Sequence, residues 1–404
     1  MLKKITIASV FVFYFLFVIS YFDSAFMSYL RYIGIGILLI VCIFINGYSK
    51  KELTSNDKYY NILLYVNYFL LVIILITAFF SEYQSSSLVK FFSTMLLVIM
   101  VMYVIPQIIN YLGLKKFYRI SINSMIISIL LSFLLNPNGR ILNYASRASD
   151  LESRLTLSFY HPNLLGSMCL ITFLMIQFYI FNYKKDLKKP IILIYILISM
   201  VLLILLYLSD SRTSLYGIII FELLMLYNLI FKNKTSKIIL SLLLFPIFLI
   251  SVTYFTKDIS VENLNFLLSN RLYLWTEAIE TLNYNDRFFI GMGSYLNSQI
   301  SQYDLTLIDN GYIYMVFQNG IISLSIMLLL FSLILVFLWK NTNDFNGIFN
   351  FCLFVLYLFV GIFENSLFNL SNLMTIFVLS NVYHFIKCSR FESKRKDELY
   401  ENCA

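Results

Sequence analysis

Two uninterrupted apolar runs fix the class of fold. Ile191 to Leu208 and Ile321 to Leu338 each supply 18 residues without a charged side chain. As helices they rise about 1.5 Å per residue, enough to cross most of the ~30 Å of bilayer hydrocarbon. The apolar residues come in blocks rather than in an i, i+3, i+4 stripe, so these helices have no polar face to turn to water. Composition agrees. The chain is 60% hydrophobic and 13% charged, against roughly 25% charge in a soluble domain. Segments of strand length with alternating polarity are absent, which speaks against a transmembrane barrel.

The expected fold is therefore an all-α, polytopic membrane helix bundle of about 12 transmembrane helices. The spans fall near 5–22, 26–46, 59–80, 87–109, 119–135, 159–182, 190–208, 214–231, 238–255, 307–339, 347–365 and 371–387. Met1 to Phe26 carries two lysines and then an apolar run without a small-x-small cleavage site, so it reads as an uncleaved first helix. No internal repeat or low-complexity linker divides the chain, and residues 1–404 read as one integral membrane domain.

Loop charge sets the orientation. With a cytoplasmic N-terminus, the inner segments hold 21 of the 30 lysines and arginines, and the outer segments hold seven. Arg31 and Lys90 fall just inside the outer ends of spans. Both termini are thus expected in the cytoplasm. The net charge of +8 is a matter of loop anchoring and not of nucleic acid. The identities differ across the membrane too: 18 of the 21 inner charges are lysine, and six of the seven outer ones are arginine. Arginine presents a planar fork that matches phosphate oxygens, so an anionic, phosphorylated ligand at the outer face is expected. Cys42, Cys169, Cys352, Cys388 and Cys403 lie in spans or on the inner side with no CxxC pair, and no disulfide or thiolate metal site is inferred.

Two outer segments are long, at about 136–158 and 256–306, and long structured loops tend to carry function. The first leads into Arg154-Leu-Thr-Leu-Ser-Phe-Tyr-His161-Pro162-Asn163-Leu-Leu-Gly166. Pro162 suits a helix's first turn, whose amides would face outward toward an anion. His161 can equally be a polar residue at the interface. Ser209-Asp210-Ser211-Arg212-Thr213 makes a very short outer turn. Arg212 so close to hydrocarbon needs a polar cavity or a partner, and Asp210 could simply pair with it. In the second long loop, Arg271, Trp275, Ala278, Ile279 and Leu282 share a helical face, with Asn270 placed to cap it. Such a helix can lie at the membrane surface with Trp275 at headgroup level, or pack on the bundle. Gly291-Met-Gly293 reads as a tight turn. The loop's acids outnumber its bases, so phosphate binding must be local to particular arginines. Asp309-Asn310-Gly-Tyr312 then opens the tenth span, with Gly320 deeper. Asp309 can be a helix cap or a base at the membrane surface.

These strings, in this order, resemble the O-antigen polymerase and O-antigen ligase superfamily of membrane glycosyltransferases. The likeness rests on Arg154…His161-Pro-Asn163, Ser211-Arg212-Thr213, Arg271…Trp275…Gly291-x-Gly293, Asp309-Asn310-x-Tyr312 and Gly320. The first five spans match only as hydrophobic helices. The resemblance implies transfer of a glycan from polyprenyl diphosphate at the outer face of the bacterial cytoplasmic membrane. The donor would be an undecaprenyl-diphosphate-linked oligosaccharide, and flippase and chain-length regulator proteins would be partners. Ligase-like members typically carry histidine where this chain has Asp309, so the departure leans toward a polymerase of O-antigen, capsule or exopolysaccharide.

The implied roles are Arg154, Arg212 and Arg271 on the diphosphate, and Asp309 or His161 as base. Asn163, Ser211, Trp275, Asn310 and Tyr312 would support them. No cofactor or metal is expected, because arginines can neutralise the leaving diphosphate. Arg140, Arg147 and Arg287 lie in less patterned sequence and read as surface charges. A lipid-oligosaccharide flippase or sugar transporter is the rival. It would be expected to show repeated halves and broken helices with a site near the midplane, whereas here the polar strings crowd the outer ends of the spans. A non-enzymatic subunit of an export complex is the third reading.

Overall fold

The computed structural model describes residues 1–23, 26–48, 58–81, 83–142, 153–230, 271–294 and 308–401. The described residues form ten helices long and apolar enough to cross a membrane, plus a shorter apolar one, Leu373–Cys388. Eleven of the twelve expected spans thus meet a helix, and the ninth, 238–255, lies outside the described residues. The helices form two compact units, residues 1–62, 94–218 and 368–404, and residues 63–93 and 219–367.

In the first unit, α1 (Leu2–Ile19) packs on α2 (Leu30–Tyr48) and α6 (Leu114–Leu135). Gly34 lets α2 approach the α1 backbone, since a Cβ there would sit 3.3 Å from the Phe13 Cα. Of α3 (Lys58–Phe79), only the first turn belongs to this unit. The span formed by α4 (Gln84–Ile99) and α5 (Ile105–Leu112) widens into a π turn over Met100–Val104. Pro106 is the physical cause: it has no N–H for the carbonyl four residues back and its ring crowds that turn. The carbonyl it cannot serve, that of Met102, accepts instead from the Tyr60 hydroxyl at 2.9 Å. Then come α7 (Pro162–Tyr183), α8 (Lys189–Leu208), the start of α9 (Arg212–Ile230), and α13 (Leu373–Glu401).

The first long outer segment contains two three-residue strands not expected from the sequence. They are β1 (Arg140–Leu142) and β2 (Ser153–Leu155), antiparallel with Ile141 opposite Arg154. Three residues are too few to display an alternation. After β2 the chain is tied to the end of α1: the Tyr160 amide donates to the Tyr21 carbonyl at 2.9 Å, and the Asp23 amide to the Ser158 carbonyl at 3.0 Å.

In the second unit, α10 (Arg271–Tyr284) is the helix expected from its spacing, and it packs on the long helix that follows it in the chain. Ala278 and Leu282 are fully buried with Met292, Ile308, Val316 and Phe317. Ile279 departs from the expected face and is 38% exposed. It lies 100° round the helix from Ala278, which leaves it at the edge of the stripe. Asn270, the expected cap, lies outside the described residues.

The long helix α11 (Gly311–Lys340) is broken at Gly320, whose φ of 77° and ψ of 170° are open only to glycine. Gly291-Met-Gly293 is not an isolated tight turn but the strap that fills this break. The amides of Met292 and Gly293 donate to the Phe317 and Gln318 carbonyls at 2.8 and 3.0 Å, and the Ile321 amide donates to Phe288 at 3.0 Å. The backbone groups that the break would leave unpaired are thereby satisfied. A Cβ on Gly291 would come within 2.6 Å of the Gln318 carbonyl, and one on Gly293 would strike the Ser81 hydroxyl. Close backbone approach, with φ of 75° and 92°, is what these two glycines permit. Helix α12 (Phe345–Phe363) packs on α11, with Asp344 capping its start by accepting from the Gly347 amide at 2.9 Å.

Candidate active site

The polar strings gather into two clusters, one in each unit. In the first unit Arg154 is the hub. Its Nε donates to the Ser209 carbonyl at 3.0 Å, and one terminal nitrogen donates to the Asp210 carbonyl and the Asn163 side-chain oxygen, both at 2.7 Å. The guanidinium thus collects carbonyls left over at the end of α8, as a basic side chain at a helix C-terminus can, and ties them to the start of α7. Its side chain is 15% exposed.

The Asp210 carboxylate lies 3.9 Å from the Arg154 Nε. The alternative in which Asp210 simply pairs with Arg212 is therefore not the one observed. The turn between α8 and α9 puts Asp210 in the left-handed region at φ 47° and directs it back toward β2. Arg212, at the first position of α9, is exposed. Ser211 is buried, with its hydroxyl bonded to that of Ser214 at 3.0 Å. It packs on Gly166 of α7, where a Cβ would collide with it.

His161 caps α7. Its Nδ1 accepts from the Asn163 amide at 3.2 Å, so the neutral ring carries its proton on Nε2 and offers a donor there. In this arrangement His161 orders the helix start and is not poised to take a proton through Nδ1.

In the second unit, Arg271 opens α10 and reaches two partners. One terminal nitrogen lies 3.2 Å from the Asp309 carboxylate, and the other donates to the Phe363 carbonyl, the last of α12, at 2.8 Å. Sequence alone left Asp309 open as a helix cap. Asn310 is the cap instead, accepting from the Tyr312 and Ile313 amides at 2.9 and 3.1 Å. Asp309 stands one residue outside the helix with its side chain 43% exposed.

Burial of its surroundings pushes the Asp309 carboxyl above the usual carboxylate range, and the Arg271 charge and hydrogen bond pull it partly back. A carboxylate with a raised pKa is a better proton acceptor near neutral pH. The Tyr312 hydroxyl donates to the Leu358 carbonyl at 3.0 Å and fixes the start of α11 to α12. Trp275, one turn beyond Arg271, has its indole N–H buried with no hydrogen-bond partner among the described residues. Arg287, read from sequence as a surface charge, donates to the Phe80 carbonyl at 2.9 Å. Arg147 lies outside the described residues.

Sequence reasoning missed the Phe363 carbonyl, the break in α11 and the serines that receive the strap. Ser81 donates to the Met292 carbonyl at 3.0 Å, and Ser86 to the Ser294 carbonyl at 2.6 Å. The available signal was the trio Gly291, Gly293 and Gly320, which only a close backbone approach explains.

Fold and clusters together define a multi-pass helical membrane protein with basic and acidic side chains ordered at helix ends. Residues 197–328 match the family model described as O-antigen ligase, in agreement with the superfamily that the strings resemble. The matched stretch contains Ser211, Arg212, Arg271, Trp275, Asp309, Asn310, Tyr312 and all three glycines of the strap and break, while Arg154, His161 and Asn163 precede it. The match supports a function of the O-antigen ligase and polymerase type, carried out by glycosyltransferase-like membrane enzymes. No curated protein matches the chain.

Proposed function

We propose that this chain is a polysaccharide polymerase. It would transfer a growing glycan from polyprenyl diphosphate to a lipid-linked repeat unit at the outer face of the cytoplasmic membrane. The observation that carries this reading is the Arg271–Asp309 pair, with Asn310 doing the capping. Asp309 is thereby left as a half-exposed base with no structural duty in the helix start. In the reaction a sugar hydroxyl of the acceptor attacks the anomeric carbon of the donor. The new C–O bond forms as the bond to the diphosphate breaks, and the diphosphate leaves with the electron pair. The hydroxyl proton passes to the Asp309 carboxylate. Negative charge grows on the leaving diphosphate, and arginine stabilises it most in the transition state.

Arg271 is proposed as a diphosphate ligand that also tunes Asp309, and Arg212 as a ligand because its side chain is exposed at a helix start. Arg154 keeps its place among the proposed ligands as a fixed positive charge, and it positions the turn that presents Arg212. With arginines in these roles no metal is required, so transfer should survive excess chelator. Loss of activity restored by magnesium or manganese would contradict that part. The break in α11 was expected of the rival transporter, but its backbone groups are paired by the 288–293 strap, which suits a rigid scaffold better than a moving gate.

The matched description, O-antigen ligase, favours a second reading in which the acceptor is another molecule. The lipid-linked products that accumulate when the protein is lost separate these readings. Single-repeat lipid on the outer leaflet supports a polymerase. Polymer left on lipid supports a ligase, and single-repeat lipid on the inner leaflet supports a flippase.

A further inference from the structure

One buried cation takes no part in the proposed reaction. Lys387 of α13 is 6% exposed, and among the described residues it makes no ion pair or hydrogen bond. Its ammonium lies 5.7 Å from the centre of the Tyr60 ring, and the Tyr60 hydroxyl is already committed to the Met102 carbonyl that Pro106 leaves unserved. The groups around it are polar but uncharged or basic. The Cys42 thiol donates to Gln107 at 3.6 Å, Gln107 and Asn46 are bonded through their amides, and His384 Nε2 faces the Asn110 oxygen at 3.0 Å. Cys42 and His384 both lie within electrostatic reach of the ammonium. An ammonium has three donors and no acceptor capacity. Enclosing one is strongly unfavourable without an anion opposite, and among the described residues none faces it.

Its position says what completes it. The end of α2, the start of α3, the short helix α5 and the end of the apolar part of α13 supply these residues. All belong to the first unit, and in the sequence they adjoin the lysine-bearing segments 50–58 and 115–116 that charge pattern assigns to the cytoplasm. At such a helix end the anion at hand is a lipid phosphate, and basic pockets between spans on that side suit one. Ile43 and Phe44, within a turn of Asn46, are 69% and 62% exposed and offer apolar surface to acyl chains. We propose that Lys387, beside Tyr60 and Cys42, binds the phosphate of one anionic phospholipid.

The test uses the full chain in neutral detergent, titrated with phosphatidylglycerol, phosphatidylcholine or inorganic phosphate while Tm is followed. A ligand that binds the folded state alone raises Tm in a saturable way. Phosphatidylglycerol should do so and phosphatidylcholine should not. Lys387→Met should abolish the shift, while Lys387→Arg and Lys340→Met, the latter in the other unit, should keep it. An undiminished shift in Lys387→Met overturns the proposal, and so does a full shift from inorganic phosphate alone, which would assign the site to the free anion. Should Lys387→Met fail to fold, native mass spectrometry of the wild-type chain decides. One phosphatidylglycerol retained against a phosphatidylcholine excess supports the site, and equal retention overturns it.

Discussion

Arg154 and Arg212 look alike in the sequence and occupy opposite situations in the structure. Arg154 places its fork on two carbonyls and an amide, whereas Arg212 is exposed at a helix start. Hydrogen bonds from a charged group contribute roughly 1.5–3 kcal/mol each, and lysine cannot reproduce the fork. Arg154→Lys should therefore lower Tm clearly, and Arg212→Lys should leave Tm unchanged while reducing polymer output. Thermal unfolding and polymer yield, read on both variants at equal membrane levels, check this. Equal Tm losses in the two would contradict it. A second residue-scale outcome concerns acidity. Arg271 opposes the rise of the Asp309 pKa, and the base works only when deprotonated. Removing that charge raises the pKa further, so the acid limb of kcat/KM should move to higher pH in Arg271→Gln. A limb that stays in place or moves down would exclude Asp309 as the titrating base. What sequence could not reveal here is partner choice. The spacing of Asp210 to Arg212 suggested a pair, but a left-handed Asp210 turns the carboxylate toward Arg154, a residue 56 positions away in the chain.

The helices themselves were legible, because a hydrocarbon solvent leaves a chain little besides long apolar helices. Length and hydropathy place α1 through α9, α11, α12 and the apolar part of α13 within a few residues of where they fall, while α13 itself runs on to Glu401. The interior of α11 was not legible. The apolar run around Gly320 reads as one straight span, yet its pairing is supplied by a strap some 30 residues upstream. Long-range backbone pairing of that kind leaves no periodic trace, only glycines. Gly320→Ala should cost about 1–3 kcal/mol for the forbidden backbone region, before the clash with the Phe289 carbonyl is added. Gly36→Ala is the contrast. Gly36 sits within α2 with no atom near its missing Cβ, and the exchange should be neutral or stabilising by about 0.5–1 kcal/mol. Thermal unfolding of the two variants in detergent measures the difference. Similar Tm values would mean that the break is not held by the strap.

At the scale of the whole molecule, the account depends on which side of the membrane holds the two clusters. Lysine and arginine are divided 21 to seven between the two sets of segments, and such a bias directs insertion. In a chain stripped of its own cysteines, a cysteine introduced at Arg147 or Asn283 should react with an impermeant thiol reagent in intact cells, and one at Asp186 should not. The reverse pattern would place both clusters on the cytoplasmic side and remove the lipid-linked donor from their reach. The central claim is that Asp309 takes the proton in glycan transfer from a lipid diphosphate, and substitution at that one carboxylate tests it most directly. Asparagine keeps the shape and cannot accept the proton, and Asn310 still caps the helix, so no folding defect should confuse the result. The measurement is turnover of a purified lipid-diphosphate oligosaccharide by wild-type, Asp309→Asn and His161→Ala protein at equal concentration. Asp309→Asn should lose about 10² or more in turnover, the usual scale for a general base, and His161→Ala should lose far less. Near-normal turnover in Asp309→Asn with none in His161→Ala would contradict the account and move the base to the start of α7.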